Sequence, residues 1–240
     1  MLKVIFFDAA GTLFEPREAV GATYARIARG YGVDASAGDV HDAFRRVFGD
    51  APGLAFGPGH SAAELRLLER RWWRELVAAS FTGLGTFSSF EDYFDELFAF
   101  FADPSNWRVD PQVGPALAQL RDAGFDLGMV SNFDYRLYGI VEGLALTRHF
   151  ASITISSEAG YAKPAPEIFR IALAKHGVTA AEAMHVGDVE HLDVAGALGA
   201  GIRAVLLDPA AAAPLRVEGR GARAASLADV VEAARQSRFP

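Results

Sequence analysis

Val4-Ile5-Phe6-Phe7-Asp8-Ala9-Ala10-Gly11-Thr12-Leu13 is the stretch on which the fold turns. Val4 to Phe7 is an unbroken run of β-branched and aromatic residues, the pattern of a strand buried on both faces in a parallel sheet covered by helices. Asp8 falls where that strand ends. Ligands of open α/β sheets bind just beyond the carboxyl ends of the strands, so a carboxylate here stands where chemistry is done. Its first reading is a nucleophile; a plainer one, a cap on the following turn, stays open from this segment alone. Gly11 permits a sharp turn and a close backbone approach, and Thr12 adds a hydroxyl and an amide.

Downstream of Leu13 the period becomes helical. Apolar residues recur at helical spacing through Val20, Tyr24 and Ile27, through Val40, Phe44 and Val47, through Leu65, Leu68, Trp72 and Leu76, and through Tyr93, Phe94, Leu97 and Phe101. Residues 49–60, rich in Gly and Pro, read as a loop between the second and third helices. From Asp110 strands and helices alternate. Strands are expected at 125–130, 153–155, 183–186 and 202–207, and helices over 111–123, after Asp134, over 166–176, after Asp188 and from Ser226 to Arg235. Asp208–Ala213 reads as a loop, and Arg216, Arg220 and Arg223 as a solvated basic run. Strands separated by helices pair in parallel through right-handed crossovers. The expected architecture is α/β: a doubly wound parallel sheet core of residues 1–14 and 109–240, with an all-helical domain of residues 15–108 inserted after the first strand.

The composition narrows the function classes. With 51% hydrophobic and 22% charged residues among 240, the chain is ordinary for a folded protein with a large core. The 23 basic residues against 30 acidic ones give a net charge of −7, which argues against a nucleic-acid or anionic-membrane surface. There is no cysteine, so disulfides, thiolate metal sites and cysteine nucleophiles are excluded. The apolar run before Asp8 is too short for a signal peptide, and no later one reaches membrane-spanning length, so a cytoplasmic address is expected.

Four polar clusters fall at or just after strand ends: Asp8, Ser131-Asn132, Lys163-Pro164, and Gly187-Asp188 with Asp193. In a parallel sheet these ends share one rim. Together they offer a carboxylate nucleophile, hydroxyl and amide donors, a cation, and carboxylates suited to a hard divalent ion. That set fits phosphoryl transfer, in which positioning and charge neutralisation do most of the work.

The segments F-F-D-A-A-G-T-L, V-S-N-F-D, K-P-A-P-E-I-F and V-G-D-V-E-H-L-D resemble, in order and spacing, the four motifs of the haloacid dehalogenase-like (HAD) hydrolase superfamily. The resemblance covers nearly the whole chain and implies a Rossmann-like core with a helical cap of the first type. It also implies that Asp8 is the nucleophile of an aspartyl-phosphate pathway. The Ala10 carbonyl with Asp8 and Asp188 would hold Mg²⁺, and Asp193 would be a ligand or stand behind one. Thr12, through its amide, with Ser131, the Asn132 amide and Lys163, would hold the phosphoryl group of a small phosphorylated substrate.

One position departs from that pattern. Family phosphatases carry a second Asp two residues after the nucleophile, to protonate the leaving alcohol and then activate water; here it is Ala10. General acid–base help is worth about 10²–10⁴-fold, so alkyl monoesters should be poor substrates. Glu15, Glu18, His41 and His60 are candidates to replace the missing acid. Phosphonoacetaldehyde hydrolases also carry Ala, but they need a cap lysine, and the three lysines (Lys3, Lys163, Lys175) all lie outside residues 14–110. A 2-haloacid dehalogenase needs neither proton nor metal, yet its fourth motif lacks the acidic pair. A non-catalytic binding or regulatory protein that kept the fold is the other alternative. Trp72-Trp73 reads as packing, His185 as a hydrogen-bonded core histidine, and Glu190 and His191 as surface residues or neighbours of a metal. Asp134 and Arg136 read as a local pair. Substrate and oligomeric state are open.

Overall fold

The computed structural model describes residues 1–211, the backbone of 215–218, and residues 221–235. From the amino end its elements are β1 (Val4–Phe7), the short β2 (Phe14–Pro16), and helices α1 (Val20–Gly30), α2 (Ala37–Asp50), α3 (Ala62–Ser80) and α4 (Phe90–Phe100). Next come β3 (Trp107–Val109), α5 (Val113–Asp122), β4 (Asp126–Ser131), α6 (Arg136–Gly143), β5 (Ser152–Ile155), the single turn α7 (Ser156–Ala159) and α8 (Pro166–His176). The chain continues through β6 (Ala183–Gly187), α9 (Ala195–Gly199), β7 (Arg203–Leu207), β8 (Leu215–Glu218), β9 (Gly221–Ala224) and α10 (Leu227–Arg235).

Six strands run parallel in the order β5-β4-β1-β6-β7-β9, and β8 closes one edge antiparallel to β9. Every residue of β1 is fully buried, and the alternation of a strand divides them between two layers. Ile5 and Phe7 join a core with α5, α6 and α10, while Val4 and Phe6 pack with α8 and α9. Each such side chain contributes about 1.5–3 kcal/mol of burial. The sheet is thus covered on both faces, a doubly wound Rossmann-like α/β fold. Phe7 pairs with Met129 and with Val186, so Asp8 emerges beside the ends of β4 and β6.

Helices α1–α4 build a separate apolar cluster around Tyr24, Val77, Phe81, Tyr93 and Leu97. Serines start three of them: Ser36, Ser61 and Ser89 each accept a backbone N–H three residues on, and Ser61 with Glu64 forms a full capping box. Among the described residues, no helix is long and apolar enough to cross a membrane.

Two features differ from expectation. A two-stranded antiparallel ribbon, β2 with β3, stands where the chain enters and leaves the helical stretch; each strand has only three residues, too few to show a period. The region expected to be a basic loop holds the β8–β9 hairpin. Arg223 lies on β9 and pairs with Asp208 at 2.5 Å, which satisfies its charge within the sheet edge. Arg220 and residues 212–213 of the expected loop lie outside the described residues. A smaller shift occurs at Pro111, which stands two residues before α5 rather than in its first turn.

Candidate functional site

Lys163 is 4% exposed, and its ammonium lies 2.7 Å from Asp8 Oδ1 and 2.6 Å from Asp193 Oδ1. Asp8, Asp188 and Asp193 each offer a carboxylate oxygen within 4.8 Å of the others. Four residues from three strand ends, spread over 185 positions of sequence, therefore meet at one point. Burial pulls the Lys163 ammonium down, but Asp8 and Asp193 outweigh it and hold the group above its usual value. Asp188 is pushed up, first by burial and then by the charge of Asp8, against a hydrogen bond from Thr12 that pulls it down.

Local sequence makes the gathering possible. Gly11 has φ of 93°, and a Cβ there would stand 2.4 Å from Asp188 Oδ2. A Cβ on Gly187 would stand 2.2 Å from Asp193 Cγ. Both glycines let a carboxylate approach the backbone more closely than any side chain permits.

Three protein donors reach Asp193. Its Oδ1 accepts from Lys163 Nζ and from His185 Nε2 at 2.8 Å, and its Oδ2 accepts the Val189 N–H at 3.0 Å. Although burial raises it, the hydrogen bond from His185 and the charge of Lys163 hold Asp193 well below the usual carboxylate range. Asp193 thus ties Lys163 to His185, which is a buried, hydrogen-bonded core residue. The oxygen set offered by Asp8 and Asp188 is that of a hard divalent cation. Three carboxylates and one ammonium also leave about two negative charges for such an ion to balance.

A sequence model of the haloacid dehalogenase-like hydrolases matches residues 2–201. The chain belongs to the haloacid dehalogenase-like hydrolase family. It is 34% identical over 220 residues to haloacid dehalogenase-like hydrolase domain-containing protein 3 of Bos taurus, covering 87% of this chain and 85% of the relative. It is 30% identical to a phosphoserine phosphatase of Thermus thermophilus, over 86% of this chain and 89% of that one. Among solved structures, an L-2-haloacid dehalogenase from Xanthobacter autotrophicus superposes with a TM-score of 0.69 at 20% identity, covering 98% and 99% of the two chains. That last likeness concerns the fold alone.

The remaining HAD-motif positions fall as follows. Ser131 ends β4 and is buried. The Asn132 side chain is spent on a neighbour: its Oδ1 accepts the Lys163 N–H at 2.7 Å and its Nδ2 donates to the Lys163 carbonyl at 3.0 Å. It ties the second motif to the third. Thr12 donates its hydroxyl to Asp188 Oδ1 at 2.9 Å and its amide to the Ala9 carbonyl at 3.3 Å. Glu15 pairs with Arg108, and Glu18 holds Arg26 and Thr23, while His60 is bound to the Phe56 carbonyl. His41, Glu190 and His191 are exposed.

Asp134 and Arg136 form the expected pair, with the guanidinium forked on the carboxylate at 2.9 and 2.6 Å. The sequence reading missed its third member. Trp73 Nε1 donates to Asp134 Oδ2 at 2.6 Å, from 61 positions away. The spacing of Arg66, Glu69 and Trp73 on one face of α3 was a signal for a polar contact, although nothing local named its partner.

Proposed function

We propose that the chain is a Mg²⁺-dependent, phosphatase-like HAD hydrolase acting on small phosphorylated molecules through an aspartyl phosphate on Asp8. The observation that carries this reading is the contact of the Lys163 ammonium with both Asp8 and Asp193, with Asp188 alongside. Residues 15–108 serve as the helical cap and residues 1–14 with 109–240 as the catalytic core. The Thermus relative, a phosphoserine phosphatase by name, favours a phosphorylated substrate.

Asp8, the Ala10 carbonyl and Asp188 are the residues suited to hold Mg²⁺, which when bound supplies charge neutralisation for the phosphoryl oxygens. Lys163 offsets the same charge from the other side, and Ser131 with the backbone at Asn132 orients the group. An Asp8 carboxylate oxygen attacks phosphorus in line as the leaving oxygen departs with its electron pair. Water then attacks the aspartyl phosphate, which releases inorganic phosphate and restores Asp8. Ala10 cannot give a proton to the leaving oxygen, and Glu15, Glu18 and His60 are engaged elsewhere. The favoured substrates are therefore those whose leaving group needs no proton, acyl and aryl phosphates.

The test is phosphate release from acyl, aryl and alkyl phosphates with and without Mg²⁺, for the natural chain and for Asp8→Asn. Activity that needs Mg²⁺ and vanishes in Asp8→Asn supports the reading; equal rates on alkyl and acyl phosphates contradict the leaving-group argument. Ala10 also favours a second reading, a binding protein without turnover, which predicts phosphate binding but no release in any of these assays. Halide release without metal would point to a dehalogenase.

A further inference from the structure

A buried polar cluster joins α3 to the turn that follows β4, and the chemistry proposed above does not use it. Besides the bond from Trp73 to Asp134, Glu69 Oε1 accepts the Tyr135 N–H at 3.3 Å, and the Arg66 guanidinium lies 3.6 Å over the Tyr135 ring. Asp134 is 0% and Glu69 1% exposed. Arg136 already satisfies Asp134 from within the turn, through its backbone N–H as well as its guanidinium. The bonds from α3 are additional, and they exist only while the helix is docked.

The same turn leads straight to the site. Two residues before Asp134, the Asn132 side chain is locked at both ends to the Lys163 backbone, and the Lys163 ammonium reaches Asp8. A second anchor holds the other loop. Ser156 Oγ donates to the Leu54 carbonyl at 2.6 Å, and the Gly57 N–H donates to the Gly160 carbonyl at 3.3 Å, three residues before Lys163. The helical segment thus grips both loops that carry the phosphoryl-holding residues.

We propose that Trp73 and Glu69 are positioning residues: docking of α3 fixes the turn after β4 and, through Asn132 and Lys163, sets the phosphoryl-holding loop against Asp8. The assignment rests on the reading of Ser131, Asn132 and Lys163 given above. It makes substrate binding conditional on the docked helix, so losing a docking bond raises KM more than it lowers kcat, because substrate pulls the docked form back.

Docking is also linked to a proton. Burial, and then the charge of Asp134, hold Glu69 above the usual carboxylate range, while the nearby Ser157 hydroxyl, the Tyr135 N–H and Arg66 pull it back. Glu69 Oε2 and Ser157 Oγ are both buried without a well-formed hydrogen bond. Tyr138, whose hydroxyl donates to Glu158, is the other titratable group that feels Glu69, and Arg136 sits on the far partner, Asp134. Undocking returns Glu69 to water and to its ordinary value of 4.5. A group raised in the docked state favours docking below its ordinary value, and that contribution is lost as pH rises through the docked value. Glu69→Gln keeps an acceptor for the Tyr135 N–H and removes the titration.

The test compares the natural chain with Trp73→Phe and Glu69→Gln, by hydrogen exchange over residues 131–137, by inhibition with inorganic phosphate in Mg²⁺, and by KM and kcat from pH 4.5, the ordinary value of Glu69, upward. Trp73→Phe keeps an aromatic ring, smaller than the indole, and loses one bond to a charged acceptor, so exchange should rise about tenfold, and the phosphate inhibition constant and KM should rise together by up to that factor, with kcat within about twofold. Glu69→Gln should flatten the rise of KM with pH. Values within about twofold of the natural chain in both variants overturn the proposal, as does faster exchange with unchanged phosphate affinity. If exchange responds in a chain that binds no phosphate at all, the positioning contact stands and the phosphatase reading falls.

Discussion

Replacing Lys163 by Met tests the gathering of the four motifs most severely. In the natural chain Lys163 is 4% exposed and its ammonium touches two carboxylates at 2.6 and 2.7 Å, with Asp188 within 4.8 Å of both. Its removal leaves three carboxylates facing one another with no cation. Breaking a buried ion pair by deleting one partner costs about 3–5 kcal/mol, and for a chain of this length 1 kcal/mol shifts the melting midpoint by about 2–4 °C. The expected loss, measured by calorimetry in a chelator at about pH 7.5, is roughly 6–20 °C. Lys163 is held above its usual value of 10.5, so its own contribution does not titrate between pH 5 and 8. The variant's three carboxylates have lost the cation that offsets their charge. Uptake of a proton relieves their repulsion, and the gap between the two chains should narrow as pH falls toward about 5. Added Mg²⁺ should raise the midpoint of the variant more than that of the natural chain. A loss under about 3 °C, independent of pH, would show that these loops are held by other contacts and that the charge balance argued here is wrong.

Ala10→Asp should raise turnover on alkyl phosphates by about 10²–10⁴-fold relative to acyl phosphates in a steady-state assay, since it restores a proton donor beside the leaving oxygen. Gly187→Ala forces Asp193 away from a Cβ that would lie 2.2 Å from its carboxyl carbon, so Lys163 loses its second partner. An overpacking cost of about 1–3 kcal/mol should appear in denaturant titration, together with a fall in kcat. Saturating Mg²⁺ at about 100 times its dissociation constant should stabilise the natural chain by about 2.7 kcal/mol, and Asp188→Asn should lose most of that gain while keeping its fold.

The sheet and the strand-end residues were legible because both rest on short-range patterns. The unbroken run Val4–Phe7 announces a strand buried on both faces, and each polar residue just after such a strand inherits a known position on the rim. What escaped was set by partners distant in sequence. The β2–β3 ribbon joins residues 93 apart through strands of three residues. The hairpin of β8 and β9 was hidden by arginines, one of which spends its charge on Asp208. That the Asn132 side chain ties the second motif to the third was not legible, because only the fold reveals that both of its ends are taken by the Lys163 backbone. Trp73 packs on the helical cluster as expected, and its added bond to Asp134 escaped for the same reason, the acceptor being 61 positions away.

The most direct test of the whole account is to expose the protein briefly to acetyl phosphate with Mg²⁺, quench it in acid and map any phosphoryl group by peptide mass spectrometry. The account predicts the mass increment on the peptide carrying Asp8, and none in Asp8→Asn. A phosphoryl group carried elsewhere, or phosphate released while the Asp8 peptide stays unmodified, would contradict it.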